Sequence, residues 1–336
     1  MRDVAALAGV SLKTVSRVVN LEPHTRPEVV QRVRQAIAEL GWVPNGSARA
    51  LRTGRTGVLA VAVPDLGRPA DAALVQAVVE EVGRRGLQAA VEPTGGPEQR
   101  PSRLRAVVAS VGAAVDAVLV LGPHGDALAP LPPASPVVVV QGGGTDRVDP
   151  VDTVDSDLAE ASALLAHHLA VVGRRRPVLV GCARLTSRGD ALRAALDAAG
   201  AGAVAEVEPR AQRREEGFDA VDGVLAALRG NGPAGGADAV LCGSDEVALG
   251  LLAALDARGV AVPDALVVAG VDGLEEGSFS APSLTTVALA PEHLARAALD
   301  LVADRLARTA PAQEPRRVLV PVQLVRREST TGPVPR

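Results

Sequence analysis

The sequence predicts a small all-α head of helix-turn-helix type joined by a hinge to an α/β body of two doubly wound parallel-sheet lobes. Three observations predict it. The first twenty residues read as two short helices around a glycine turn. From residue 58 onward, apolar β-rich runs alternate with helical stretches, the pattern of parallel sheets covered on both faces. The length, 336 residues, exceeds one ordinary domain and suits a small head plus a two-lobed body. The expected divisions are a head over 1–44, a hinge over 45–57 and a body over 58–330.

In the head, Ala5 is small where two helices must touch, and Gly9 permits a tight turn that a β-carbon would oppose. Val15 and Val18 lie three apart, on one helix face, and can pack on Val4, Ala5 and Ala8. Ser11 stands just before the second helix, where a hydroxyl can accept from free N–H groups. Leu12, Lys13, Ser16, Arg17 and Asn20 then point outward as a donor-rich stripe sized for a DNA major groove. Any amphipathic helical hairpin shows part of this pattern, but Lys13, the only lysine of the chain, falls on the stripe. A third helix is expected over 27–40, with Pro27 at its first position and Gly41 at its stop. Its Val30, Val33, Ile37 and Leu40 would close a small core with Trp42. The helix-capable run 47–52 is too short to hold a helix alone, so it reads as a hinge that orders on contact with a partner.

In the body, strands are expected at 58–63, 87–91, 117–121, 137–140, 177–180, 203–207, 239–242 and 266–269. Helices are expected at 71–85, 101–111, 158–171, 187–199, 218–228, 245–258 and 292–308. Two sheets with a cleft between them fit this length, and ligands of such sheets bind beyond the carboxyl ends of the strands.

Composition narrows the function classes. The chain is 47% hydrophobic but 1% aromatic (Trp42, Phe218 and Phe279), so the core is built from Val, Leu and Ala and stacking platforms are scarce. Cys182 and Cys242 give neither a disulfide framework nor a metal quartet and read as buried strand residues. No apolar run reaches spanning length and no signal peptide is visible, so a cytoplasmic protein without a membrane partner is expected. Net charge is −4, but residues 1–57 hold nine basic and four acidic side chains, giving +5 there and −9 in the rest. A basic head on an acidic body suits phosphate contact at one end.

The run Asp3-Val4-Ala5, Gly9-Val10-Ser11 and Thr14-Val15-Ser16-Arg17-Val18-Val19-Asn20 resembles the head of the lac repressor family. Pro44-Asn45, Ala48-Arg49 and Leu51-Arg52-Thr53 resemble its hinge. Further matches are Ser244-Asp245, Val262-Pro263-Asp264, Gly270-Val271-Asp272, Pro282-Ser283-Leu284-Thr285-Thr286-Val287 and Arg327-Glu328-Ser329-Thr330. The resemblance runs in order through essentially the whole chain. It implies a transcription factor, expected to be a repressor, with a sensor body like the type I periplasmic sugar-binding proteins.

Carried over, Leu12, Lys13 and Arg17 occupy base-reading positions, where Arg or Lys can donate to guanine O6 and N7. Ser11, Thr14, Ser16 and Asn20 match phosphate-touching positions, and Arg49 and Arg52 would hold the adjacent backbone. Leu51 matches the hinge leucine that wedges into the minor groove. In the body, Arg188 and Asp272 match effector-binding positions that face each other across the cleft. Ser244 replaces an amide that normally contacts ligand. Asp245 reads equally as a pocket wall or as a helix N-terminal carboxylate; Asp155 and Asp157 are further cleft candidates near the lobe crossover. The resemblance implies a homodimer on a pseudo-palindromic operator and a small-molecule effector. No heptad tail follows the last strand, so a dimer rather than a coiled-coil tetramer is expected.

One departure bears on the effector and another on the head. Family pockets often stack a sugar on an aromatic, whereas the corresponding region here offers Gln212, Arg213 and Arg214. A sugar and an anionic metabolite therefore both stay open. Arg26 stands where a helix-capping serine is common. An enzyme is the competing class, and its signals are poor. Gly142-Gly143-Gly144 lacks the Lys-Ser/Thr of a phosphate loop, and adjacent His167 and His168 point to different faces. No nucleophile elbow occurs, and no cofactor or metal is expected. A plain solute-binding protein would lack the basic head.

Overall fold

The structure, a computed structural model, describes residues 1–19, 25–42, 54–122, 128, 131, 135–140, 151–182, 186–230, 235–307 and 314–332, without the side chains of 186–188. The chain divides into two units, Met1–Gly57 and Val58–Arg336.

The described residues of the first unit form three helices: α1 (Arg2–Ala8), α2 (Leu12–Val19) and α3 (Pro27–Glu39). Val4, Val15 and Val33, one from each, are fully buried together with Ala5, Ala8, Val18 and Ala36. Full burial of a valine is worth about 1.5–3 kcal/mol, so these few contacts carry the small core. Gly9 closes α1 at φ 62, the left-handed geometry that its lack of a β-carbon makes cheap. The Ser11 hydroxyl accepts from the Thr14 N–H at 3.1 Å and so caps α2. Pro27 opens α3 after Arg26, whose side chain makes no cap hydrogen bond.

The second unit contains two six-stranded sheets. Lobe 1 is built from β1 (Val58–Val63), β2 (Gln88–Pro93), β3 (Ala117–Leu121), β4 (Val137–Val140), β5 (Asp152–Ser156) and β11 (Arg317–Val320), in the order β11-β5-β4-β3-β1-β2. All its pairs are parallel, with Leu59 opposite both Ala89 and Ala117. Lobe 2 is built from β6 (Pro177–Val180), β7 (Ala205–Val207), β8 (Ala239–Cys242), β9 (Val267–Asp272), β10 (Thr285–Ala288) and β12 (Gln323–Val325), in the order β12-β10-β9-β8-β6-β7. Among the described residues its β10–β12 pair alone is antiparallel. The helices of this unit are α4 (Pro69–Arg84), α5 (Arg100–Ala109), α6 (Leu158–Val171), α7 (Thr186–Ala198), α8 (Arg214–Asp219), α9 (Val221–Leu228), α10 (Asp245–Ala257), α11 (Pro291–Leu306) and the single turn α12 (Glu328–Thr331). Strand faces and helices close over Val-, Leu- and Ala-rich cores in each lobe. Cys182 and Cys242 are buried among them, and burial pushes the Cys242 thiol well above its ordinary pKa.

The eight expected strands are present, with bounds shifted at three of them. Four further strands, β5, β10, β11 and β12, were not expected. β5 reads Asp-Thr-Val-Asp-Ser and looks like a loop, yet every residue of it is buried. Asp152 is tolerated there because it accepts from Arg305 and from both the backbone and guanidinium of Arg316. β11 and β12 are short edge strands in which Val320 alone is buried, too brief for a periodic signal. The helix expected at 218–228 is two helices meeting at Ala220. Gly217 and Gly250 set the approach of α8 to α10, for a β-carbon at either would collide with the facing backbone.

The chain passes between the lobes three times: at Asp157, at Ala290, and at residues 321–322. The Asp157 N–H donates to the Val320 carbonyl at 2.9 Å, tying the first crossing to the third. The Ser156 hydroxyl faces the Leu289 carbonyl at 3.5 Å, beside the second. Asp157 also caps α6 by accepting from the Glu160 N–H. Ala290, at φ 48, takes the left-handed turn that brings the chain back to lobe 1.

Candidate functional site

On α2, burial of Val15 and Val18 dictates which side chains face water. Ser11, Leu12, Lys13 and Arg17 are exposed, and Thr14 and Ser16 are half-buried. Leu12 stays 46% exposed although it is apolar, so the small core does not claim it. The Ser11 hydroxyl also lies 2.9 Å from that of Thr14. Asn20, Arg49, Leu51 and Arg52 lie outside the described residues.

In the body, both sheets share the strand order in which the first strand sits between the second and third. Chain direction reverses beside β1 in lobe 1 and beside β6 in lobe 2, the crevice where such sheets bind ligands. Residues from the two crevices meet. Arg213 donates to Asp65 at 2.6 Å, and Arg68 approaches Glu246 at 3.7 Å. Glu246 is buried, which raises its carboxyl pKa. Its Oε2, Arg68 Nε and Gln212 Oε1 are buried without a hydrogen-bond partner among the described residues. Gln212 otherwise donates to the Gly181 carbonyl at 2.8 Å. Polar atoms left this way at the carboxyl ends of strands make a place for a polar ligand.

The predicted effector residues separate into two groups. Asp272 ends β9 at φ 136, an uncommon backbone conformation for a residue with a side chain, and is half-buried. Arg188 lies in the first turn of α7, which follows β6 on the carboxyl side, and its side chain is outside those described. Ser244 and Asp245 are taken up internally. Ser244 caps α10 by accepting from the Val247 N–H at 3.3 Å. Asp245 is fully buried and accepts from the Gly273 N–H (2.9 Å), the Leu274 N–H (2.8 Å) and the Thr286 hydroxyl (2.6 Å). Burial raises its pKa and these bonds oppose the rise. Asp155 faces Arg317 at 3.4 Å, and Asp157 serves as the α6 cap.

Sequence reasoning passed over Arg68, Glu246 and Arg100. Arg100 is 7% exposed; its Nη1 donates to the Thr94 hydroxyl and its Nη2 to the Leu121 carbonyl at 2.5 Å. A signal for it existed, a Gly95-Gly96 pair just after a strand and just before an arginine at a helix start. With Arg103, Arg213 and Asp65 it lines a cavity of about 900 Å3.

A helical head with a polar outward stripe, and a two-lobed body with a polar crevice, define a ligand-responsive DNA-binding regulator. Comparison with known proteins agrees. Residues 1–45 match the model of bacterial regulatory proteins, lacI family, and residues 166–330 that of the periplasmic binding protein-like domain. The HTH-type transcriptional regulator CelR of Thermobifida fusca is 32% identical over 97% of this chain and 96% of its own length. A solved CelR–cellobiose complex is similar with TM-score 0.68 and 28% identity, covering 97% of this chain and 98% of that one. The operator-bound lac repressor dimer shares the fold, with TM-score 0.75 and 24% identity over 98% of each chain. The chain belongs to the lacI family of bacterial regulatory proteins. No described helix is long and apolar enough to cross a membrane.

Proposed function

We propose that the chain is a homodimeric repressor of a pseudo-palindromic operator, acting in the cytoplasm by binding rather than catalysis, with operator affinity set by a small molecule held between the lobes. The observation that carries this is the exposed stripe of Leu12, Lys13 and Arg17 above a head core of buried valines. In this reading residues 1–44 are the reading head, 45–57 the hinge and 58–330 the sensor and dimerisation body. Leu12, Lys13 and Arg17 read bases, and Leu51 wedges into the minor groove between half-sites. Ser11, Thr14, Ser16, Asn20, Arg49 and Arg52 hold the phosphate backbone. Arg188 and Asp272 hold the effector, while Ser244 and Asp245 shape the crevice wall. Phe218 and Phe279, 43% and 81% exposed, share a groove of about 690 Å3 with Leu249 and offer an apolar face to a second copy. Effector binding alters the angle between lobes and with it the hinge, a coupling of about 1–3 kcal/mol in switches of this kind.

Selection of operators from a random DNA pool tests the reading. Arg17→Ala is expected to weaken binding by about 1–3 kcal/mol and to relax preference at one symmetric base position. Unchanged selectivity would remove Arg17 from base reading, and no selected sequence at all would refute the regulator. Arg188→Ala is expected to abolish the effector response while operator binding persists. Retained induction in a gel-shift titration would take Arg188 out of the crevice.

A further inference from the structure

Resting on the effector reading above, we propose that the effector is anionic, a small molecule bearing a phosphate or carboxylate that Arg100, Arg103 and Arg213 hold in the lobe 1 cavity. The cavity opens where β1 and β2 end, and its volume of about 900 Å3 suits a small metabolite. Its ionisable lining is three arginines and one carboxylate, Asp65, a surplus of two positive charges. The rest of the lining is mainly proline, glycine and leucine, with no aromatic ring and no hydroxyl side chain. A neutral sugar finds there neither a stacking platform nor side-chain hydroxyl partners, whereas an anion finds guanidinium groups that suit carboxylate and phosphate.

The three arginines are placed differently, and the difference gives each a use. Arg100 forms a fixed floor, buried and held by the Thr94 hydroxyl and the Leu121 carbonyl, with the Asp71 carboxylate near enough to offset part of its charge. A charge set in that low-dielectric wall acts on an incoming anion more strongly than one in water. Arg103 is exposed at the rim, where it donates to the Pro93 carbonyl at 3.3 Å. Arg213 comes from lobe 2 and is occupied by Asp65 of lobe 1, in a pair whose partners are 49% and 40% exposed. A pair so exposed is weak and exchangeable. An anion that displaced Asp65 from Arg213 while held by Arg100 and Arg103 would bridge the lobes through its own charge, so that binding registers as a change between them.

The test is thermal unfolding of the full chain in inorganic phosphate, glucose 6-phosphate, gluconate or glucose, at matched ionic strength. A bound ligand raises Tm saturably. Inorganic phosphate and glucose 6-phosphate, or gluconate if a carboxylate is the group recognised, are expected to raise it, and glucose is not. Apparent affinity for the active anion is expected to fall tenfold or more in Arg103→Gln and in Arg213→Gln. Both substitutions are at exposed positions, and both variants are expected to melt as wild type without ligand. Three results would overturn the proposal: glucose stabilising as well as the anions, no saturable shift with any anion, or a shift that survives both substitutions and so arises elsewhere. Operator selection separates the two failures. If an operator is selected and a neutral sugar alone modulates its binding, the anionic assignment falls and the regulator stands. If no operator is selected, the regulator reading itself falls.

Discussion

Asp152→Ala is expected to destabilise the body by about 3–5 kcal/mol, because it strands a buried guanidinium. Asp152 is wholly buried, and the Arg305 side chain beside it is 6% exposed. Nε and Nη2 of Arg305 donate to it at 2.9 and 2.5 Å, and the Arg316 backbone and guanidinium at 2.8 and 3.0 Å. These bonds join β5, the end of α11 and the entry to β11, so their loss loosens the edge of the lobe 1 sheet. The pair also makes the body acid-sensitive. Burial alone would raise the carboxyl pKa, but the bonds from Arg305 and Arg316 outweigh it and hold the pKa below the ordinary 3.8. A carboxyl lowered on folding contributes stability that is complete above its unfolded pKa and is lost as pH falls through the folded one. Wild type is therefore expected to lose stability steeply below about pH 4, and the alanine variant less steeply over the same range. Urea unfolding at several pH values measures both effects.

The second large effect is expected at Asp245. Asp245→Ala leaves the Gly273 and Leu274 N–H groups and the Thr286 hydroxyl without their acceptor, at a cost of roughly 3 kcal/mol or more. For a body of this size that corresponds to a Tm lower by on the order of 10 °C. The loss reaches the crevice as well. Those donors fix the turn after β9, and the Asp245 N–H lies 3.4 Å from Oδ2 of Asp272. Asp245→Asn is expected to recover only part of the stability, because an amide offers one acceptor oxygen where the carboxylate offers two. Calorimetry of the two variants measures the stability, and effector titration of the asparagine variant reads the damage to the crevice. An alanine variant as stable as wild type would show that Asp245 is not the brace of that turn.

The head was legible because its signals are local. Gly9, the valine spacing and the Ser11 cap each act within a turn or two of chain, and the structure uses each as the pattern predicts. The first strands of each lobe were legible because a strand buried on both faces is a plain apolar run, as in Val58–Val63. What sequence reasoning missed depends on distant partners. β5 hides because its two aspartates look solvated until Arg305, Arg316 and Arg317 are brought beside them. The same holds for Ser283 to Thr286 and Arg327 to Thr330, whose repertoire of Ser, Thr, Glu and Arg resembles a ligand site. In the fold they bind one another. The Ser283 N–H donates to Glu328, the Thr285 N–H to the Ser329 hydroxyl, and the Thr285 and Thr330 hydroxyls meet at 2.7 Å. His168 joins them through Thr330 at 2.8 Å, and burial holds its pKa below the usual value. Asp272 was legible as the end of a strand, whereas Glu246 and Arg68 were not legible as neighbours, because their meeting depends on two lobes coming together.

The segment after α11 supplies β11 to one sheet and β12 to the other, and so stitches both edges with one thread. Neither lobe is therefore a module that can be cut out as one contiguous piece, since a cut at the Asp157 crossing parts the lobe 1 sheet from β11 and a cut at the Ala290 crossing parts the lobe 2 sheet from β12. Lobes of related regulators cannot be exchanged as contiguous blocks. A working chimera would have to transplant two separate stretches for either lobe, while a nicked chain is expected to survive only as a complementing pair of fragments.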